Sequence, residues 1–228
     1  MNEFATLPLV HRVVLGAFMA ALLPSAVGLL RYRHLNRPMR LVLYHCLIGF
    51  VLNASTTVLA MLTIRNLFLG HLSTLLEFVL LVSAYRLVLA TPEQPKRWLF
   101  WSMLVFALVA MLNTVFVQRI GQFNSYIKVP EAIFMVGLSL LYFRKLLVGK
   151  PIARLERHPW FWVNAMVLVY FASDFMIFAY SNYILLYSKS LGIHIWFVHA
   201  LFLILFYGGL SVAMLVAKRP ANAAAADN

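Results

Sequence analysis

Cysteine is nearly missing from this 228-residue sequence: Cys46 stands alone. An intrachain disulfide and any paired-cysteine metal or redox site are thereby excluded. Carboxylates are scarce. Seven Asp and Glu face nineteen Lys and Arg, for a formal charge of +12, and charged residues make up only 11% of the chain. No polar stretch is long enough to form a soluble domain. GxSxG elbows, P-loops and dinucleotide fingerprints are also absent. The amino terminus has Glu3 where a signal peptide carries basic residues, and the apolar run from Leu9 is full length, so it reads as a span.

What the sequence does have is apolar side chain. Hydrophobic residues are 63% of the chain and the mean hydropathy is +0.86. Soluble domains run near ~45–50% apolar and ~25% charged, so this composition predicts an integral membrane protein. A bilayer-crossing helix needs ~20 apolar residues. Seven such runs occur, at about 9–30, 41–64, 67–90, 98–117, 129–147, 160–181 and 192–217. The expected fold is an all-α, seven-transmembrane-helix bundle forming one domain over 1–219, with a disordered tail over 220–228. Arg37-Pro38, Thr91-Pro92, Lys128-Val129-Pro130, Lys150-Pro151 and His158-Pro159 mark the breaks.

The basic residues separate by side. Arg31, Arg33, Arg37, Arg40, Arg86, Lys96, Arg97, Arg144, Lys145, Lys150, Arg154, Arg157, Lys218 and Arg219 fall at one end of the spans, fourteen in all. Arg12, Arg65, Arg119, Lys128 and Lys189 fall at the other. Positive loops lie inside, which predicts the N-terminus outside and the C-terminus cytoplasmic. Interfacial rings agree, with Trp98, Trp101, Trp160 and Trp162 at the inner rim and Tyr126, Tyr183, Tyr187 and Trp196 at the outer. The positive charge is thus topological and implies no nucleic acid. The expected partners are the lipid bilayer, an outer-side ligand, and a signalling partner at the basic loops. "LLRYRHLNRPMR" after span 1 and "LYFRKLLVGKPIAR" after span 5 echo one another, which suggests a 3+1+3 plan.

Glu77 lies ten residues below Leu67, about 15 Å into its span at ~1.5 Å per residue. The same arithmetic puts Asn53, Asn113, Asp174 and His199 near that depth, in the outer half. Glu131, His71, His194 and His11 lie above them. In the inner half His45 is the main polar residue, with Ser102 and Tyr142 near the rim. Ionisable groups inside a span face the bundle interior or a wet cavity. Helical spacing groups His45, Gly49 and Asn53 on span 2, Ser73, Thr74 and Glu77 on span 3, Tyr170 and Asp174 on span 6, and Trp196, His199 and Tyr207 on span 7. The candidate ligand-binding residues are therefore Glu77, Asp174, His199, Asn53, Asn113, Tyr170, Thr74, Trp196, His71 and Glu131, in a pocket opening outward. Phe68, Phe78, Phe171, Phe175, Trp196 and Phe202 are its expected walls. Asn53 and Asn113 equally suit interhelical hydrogen bonding. Glu131, next to Pro130 in the first turn of span 5, equally suits the helix dipole.

Glu77, Asp174 and His199 are the candidate ligands for a divalent metal such as zinc. His194 and His199 are five apart, ~140° around a helix, so the HxxxH pair of the seven-helix membrane zinc hydrolases is missing. Retinal is excluded because no lysine precedes Lys218 in the last span. A SWEET-like small-solute transporter shares the span count and orientation, but Pro24 is the only proline expected inside a span. The leading expectation is a sensor or receptor-like module that binds a small ligand or ion and signals through a separate partner. No catalytic residue is assigned and no cofactor is expected.

"NLFLGHLSTLLEF", "FNSYIKVPEAIFMVGLSLLYF", "HPWFWVNAMVLVYFASDFMIF" and "HIWFVHALFLILFYG" together resemble a family of bacterial seven-helix integral membrane proteins without an established activity. The resemblance spans roughly 40–215. It implies the bacterial inner membrane and the seven-span count, and it transfers no functional residue.

Overall fold

The computed structural model describes residues 13, 16, 17, 19–91, 96–118, 120, 124–149, 154–187 and 189–218, without the side chains of 181–187 and 189–193. Expectations for His11, Arg12 and the 220–228 tail fall outside these residues, and those for Tyr183 and Tyr187 concern side chains outside them. The described chain is helical: α1 Leu22–Leu30, α2 Arg37–Met61, α3 Leu67–Leu89, α4 Arg97–Leu112, α5 Ser125–Val148, α6 Pro159–Tyr187 and α7 Lys189–Val216. Five segments are long and apolar enough to cross a bilayer, namely Arg37–Met61, Leu67–Leu89, Arg97–Val117, Pro159–Tyr180 and His194–Val216. The protein is a multi-pass membrane protein.

Two of the helix starts that differ from expectation are explained by their capping. α2 begins at Arg37 rather than 41, because Asn36 Oδ1 accepts from the Met39 N–H at 3.1 Å and Pro38 occupies the first turn. α5 begins at Ser125 rather than 129 and runs through the expected break, with Pro130 inside it. A helix-interior proline costs ~3 kcal/mol. Two features offset it. Gln118, before the loop, accepts from the Tyr126 N–H and donates to Ser125 Oγ, both at 3.0 Å. Ile127, Glu131 and Ala132 are then buried around the proline.

α1 packs against α2 and α7, α2 against α3, α3 against α5, α5 against α6, and α6 against α7. A closed ring results. α4 stands outside it on α3, through Phe78 stacked on Phe106 at 3.7 Å. Its outer face bares Trp101, Val105, Leu108, Met111, Val115 and Phe116, a continuous apolar strip suited to lipid.

The end holding the C-termini of α1, α3, α5 and α7 is here termed lower. Basic side chains cap helix ends there. Arg31 donates from Nε to Met214 O at 3.1 Å and from Nη2 to Ala217 O at 2.8 Å, tying α1 to the end of α7. Lys145 Nζ donates to Val88 O at 2.6 Å. Such cations satisfy orphan carbonyls and oppose the helix dipole. Arg31→Ala is expected to cost about 2 kcal/mol, read as a lowered thermal midpoint in detergent; Arg33→Ala, at an exposed position nearby, serves as the unchanged control.

The lower half holds a closed polar cluster. Tyr85 Oη donates to Asn164 Oδ1 at 2.7 Å, Ser139 Oγ donates to Asn164 O at 3.0 Å, and Asn164 Nδ2 donates to Ser139 O at 3.3 Å. All three residues are fully buried. Tyr85→Phe deprives Asn164 Oδ1 of its donor and is expected to lower stability by about 1–3 kcal/mol. Thermal unfolding reads that loss, and ligand binding in the upper half should be unchanged.

Candidate functional site

A cavity of about 140 Å³ lies in the upper half of the ring. α2 contributes His45, Ile48, Gly49, Leu52 and Asn53, and α3 contributes Ser73, Glu77 and Leu80. Lys128 enters from α5, Tyr170 and Phe178 from α6, and His199, Leu203 and Tyr207 from α7. The spacings along α2 and α7 are those of one helix face. Gly49 is required for close approach: a Cβ there would meet Tyr207 Oη at 2.8 Å.

The charged groups form two sets. Lys128 Nζ stands 2.6 Å from Glu77 Oε2 and 3.0 Å from Glu131 Oε2. Asp174 Oδ1 stands 3.0 Å from His199 Nδ1. Glu77 and Lys128 form an aligned hydrogen bond. The Glu131–Lys128 and Asp174–His199 approaches are close but not aligned as hydrogen bonds. Glu131 and Asp174 are fully buried and do not line the cavity; they touch the lining residues Lys128 and His199. Rings of Tyr170, Phe178 and Trp196 surround the His199 imidazole at 6.0, 5.9 and 5.6 Å.

Three carboxylates against one ammonium leave a formal charge of −2 with His199 neutral, or −1 with it protonated. Ionised groups in a low-dielectric setting demand compensation, which a proton on a buried carboxyl or a nearby cation supplies equally. The lining offers carboxylate, imidazole, phenol and amide groups.

Glu77, His199, Asn53 and Tyr170 line the cavity, with Asp174 and Glu131 against its lining. The two acids expected side by side, Glu77 and Asp174, each have a basic partner instead. Glu131 is no first-turn carboxylate, because α5 starts earlier; it belongs to the charged layer. Trp196 packs edge-on to His199. Thr74 Oγ1 donates to Gly70 O and accepts from Asn124 Nδ2, outside the lining. Asn113 lies in a π-helical turn, Asn113–Val117, where it donates to Gln118 Oε1 at 3.4 Å. His71 Nδ1 meets Thr114 Oγ1 of that turn at 3.0 Å. Thr74 and His71 thus tie α3 to neighbouring segments, while Asn113 bonds within its own turn. The expected ring walls do not line the cavity; Tyr170, Phe178 and Tyr207 do. Glu77, Asp174 and His199 do not converge as one metal-ligand trio among the described residues.

Lys128 was missed as a site residue because it reads as an outer-rim charge. The signal that would have found it is its i,i+3 spacing to Glu131. No family model, curated protein or solved structure matches this chain.

Proposed function

We propose that this protein is a ligand-binding membrane module of sensor or receptor type, whose upper cavity takes a small cation. The observation that carries this reading is a cavity of about 140 Å³ lined by Glu77 and Lys128 and backed by Glu131 and Asp174, three carboxyl groups to one lysine, above an apolar layer. One turn below its floor of His45, Tyr170 and Tyr207 come Val42, Val167 and Leu210, all fully buried. The volume is well under the ~300–1,000 Å³ of common small-molecule sites. It suits a partly hydrated alkali ion or a small ammonium, and Tyr170, Phe178 and Tyr207 offer ring faces to the latter. In this reading all seven helices cross a bacterial inner membrane, the upper end faces outward, and output passes to a separate partner at the basic lower end.

Thermal unfolding in detergent at constant ionic strength tests it, with sodium, potassium, ammonium and methylammonium chlorides against bulky N-methylglucamine. One of the small cations is expected to raise stability saturably, by about 2.7 kcal/mol at a hundred times Kd. Gly49→Leu, which fills the cavity, should abolish the effect. No saturable rise with any of them would overturn the reading.

A second reading, a small SWEET-like transporter, draws support from Pro130 beside Lys128 and Glu131, since a proline inside a continuous helix removes one backbone hydrogen bond at the charged layer. The placement of α4 outside the ring suits a 3+1+3 plan. Proteoliposome flux separates the two: a transporter takes up the stabilising cation, whereas the sensor reading predicts none above empty liposomes.

A further inference from the structure

A second cavity of about 440 Å³ opens at the lower end between α3, α4 and α5, far from the charged layer. Its lining includes Lys96, Arg144 and Lys145 together with Trp98, Leu141 and Val148. Among the described residues no carboxylate lines it. Lys96 caps α4 in the left-handed region, at φ 49°, a conformation uncommon for a residue with a side chain. Arg144 and Lys145 come from the last turns of α5. The apolar part is open to the surroundings, with Val148 81% exposed.

Cations alone would suit any soluble anion, and an apolar wall alone would suit any acyl chain. Their conjunction at the end of a membrane bundle selects a molecule with both parts. We infer that this groove binds an anionic phospholipid, with its phosphate at Lys96 and Arg144 and an acyl chain along Leu141 and Val148. Lys145 spends one of its three N–H donors on Val88 O and so also caps α3. Lys145 is therefore left unchanged in the test, and the charges varied are those of Lys96 and Arg144. Trp98 belongs at the headgroup level, where indole rings settle. Basic clefts between helices on the cytoplasmic side are where anionic headgroups bind, which agrees with the lower end facing inward.

The test is a titration of detergent-solubilised protein with dioctanoyl phosphatidylglycerol, dioctanoyl phosphatidylcholine and inorganic phosphate, read by native mass spectrometry and thermal midpoint. Phosphatidylglycerol should bind saturably and raise the midpoint; phosphatidylcholine should bind at least tenfold more weakly. Each basic residue near a membrane surface contributes about fivefold to such binding, so Lys96→Gln/Arg144→Gln should weaken phosphatidylglycerol about thirtyfold. Arg33→Gln should leave it unchanged. Equal binding of the two lipids, or an unaltered double variant, would overturn the inference. So would competition by inorganic phosphate at equal concentration, which would mark a site for a soluble anion.

Discussion

Lys128→Met is expected to be the most damaging single substitution in the protein, costing about 3–5 kcal/mol. The side chain is nearly isosteric, so packing is preserved and only the charge is lost. Glu77 and the fully buried Glu131 then stand without the ammonium that lies 2.6 and 3.0 Å from them. Removing one partner of a buried ion set strands the others, which is far worse than removing the whole set. The check is a drop in thermal midpoint in detergent, partly restored by adding Glu77→Gln and Glu131→Gln. A Lys128→Met variant as stable as the wild type would show that solvent or lipid headgroups already neutralise these acids.

Glu77→Gln should have the opposite effect on the fold and the largest effect on binding. Lys128 keeps Glu131 as its partner, so the ammonium is not stranded. The cavity becomes less negative by one charge. Stability without ligand is expected to hold or rise, because one buried charge fewer must be offset. Cation binding is expected to weaken by at least about thirtyfold, the effect of losing ~2 kcal/mol from a desolvated charge contact. The cation-dependent midpoint shift measures both. Retained binding in Glu77→Gln would move the ligand to the Asp174–His199 pair, and Asp174→Asn would then remove it.

The pair of outcomes separates structural from ligand-binding roles within a single cluster. Lys128 is needed for the fold whether or not anything binds. Glu77 is, in the proposed function, the carboxylate of the cluster that lines the cavity and meets the ligand.

The helices were legible because lipid imposes length and polarity on each segment separately. The runs near 67–90 and 160–181 reappear as α3 and α6 with small shifts at the ends. The start of α5 was not legible. Its cap, Gln118, lies across a loop from Ser125 and Tyr126, and a proline in the second turn argues locally for a break. The error propagated to the site. Counting depth from a common surface puts Lys128 at the rim and Glu77 two turns or more below it. Their 2.6 Å contact requires α5 to begin deeper in the bundle than α3. Asn113 shows a different gap: it belongs to a π-helical turn that follows α4, which lies outside the ring.

The sequence by itself determined that this chain is helical, apolar enough for a bilayer, and polar mainly in one half of its length along the helices. Those properties follow from each residue's own transfer energy and from the 3.6-residue period, which need no neighbours. Only the tertiary structure decided which buried charges neutralise each other, since that depends on the relative heights and rotations of separate helices. It alone paired Lys128 with Glu77 and Glu131, paired Asp174 with His199, and set both groups against one small cavity.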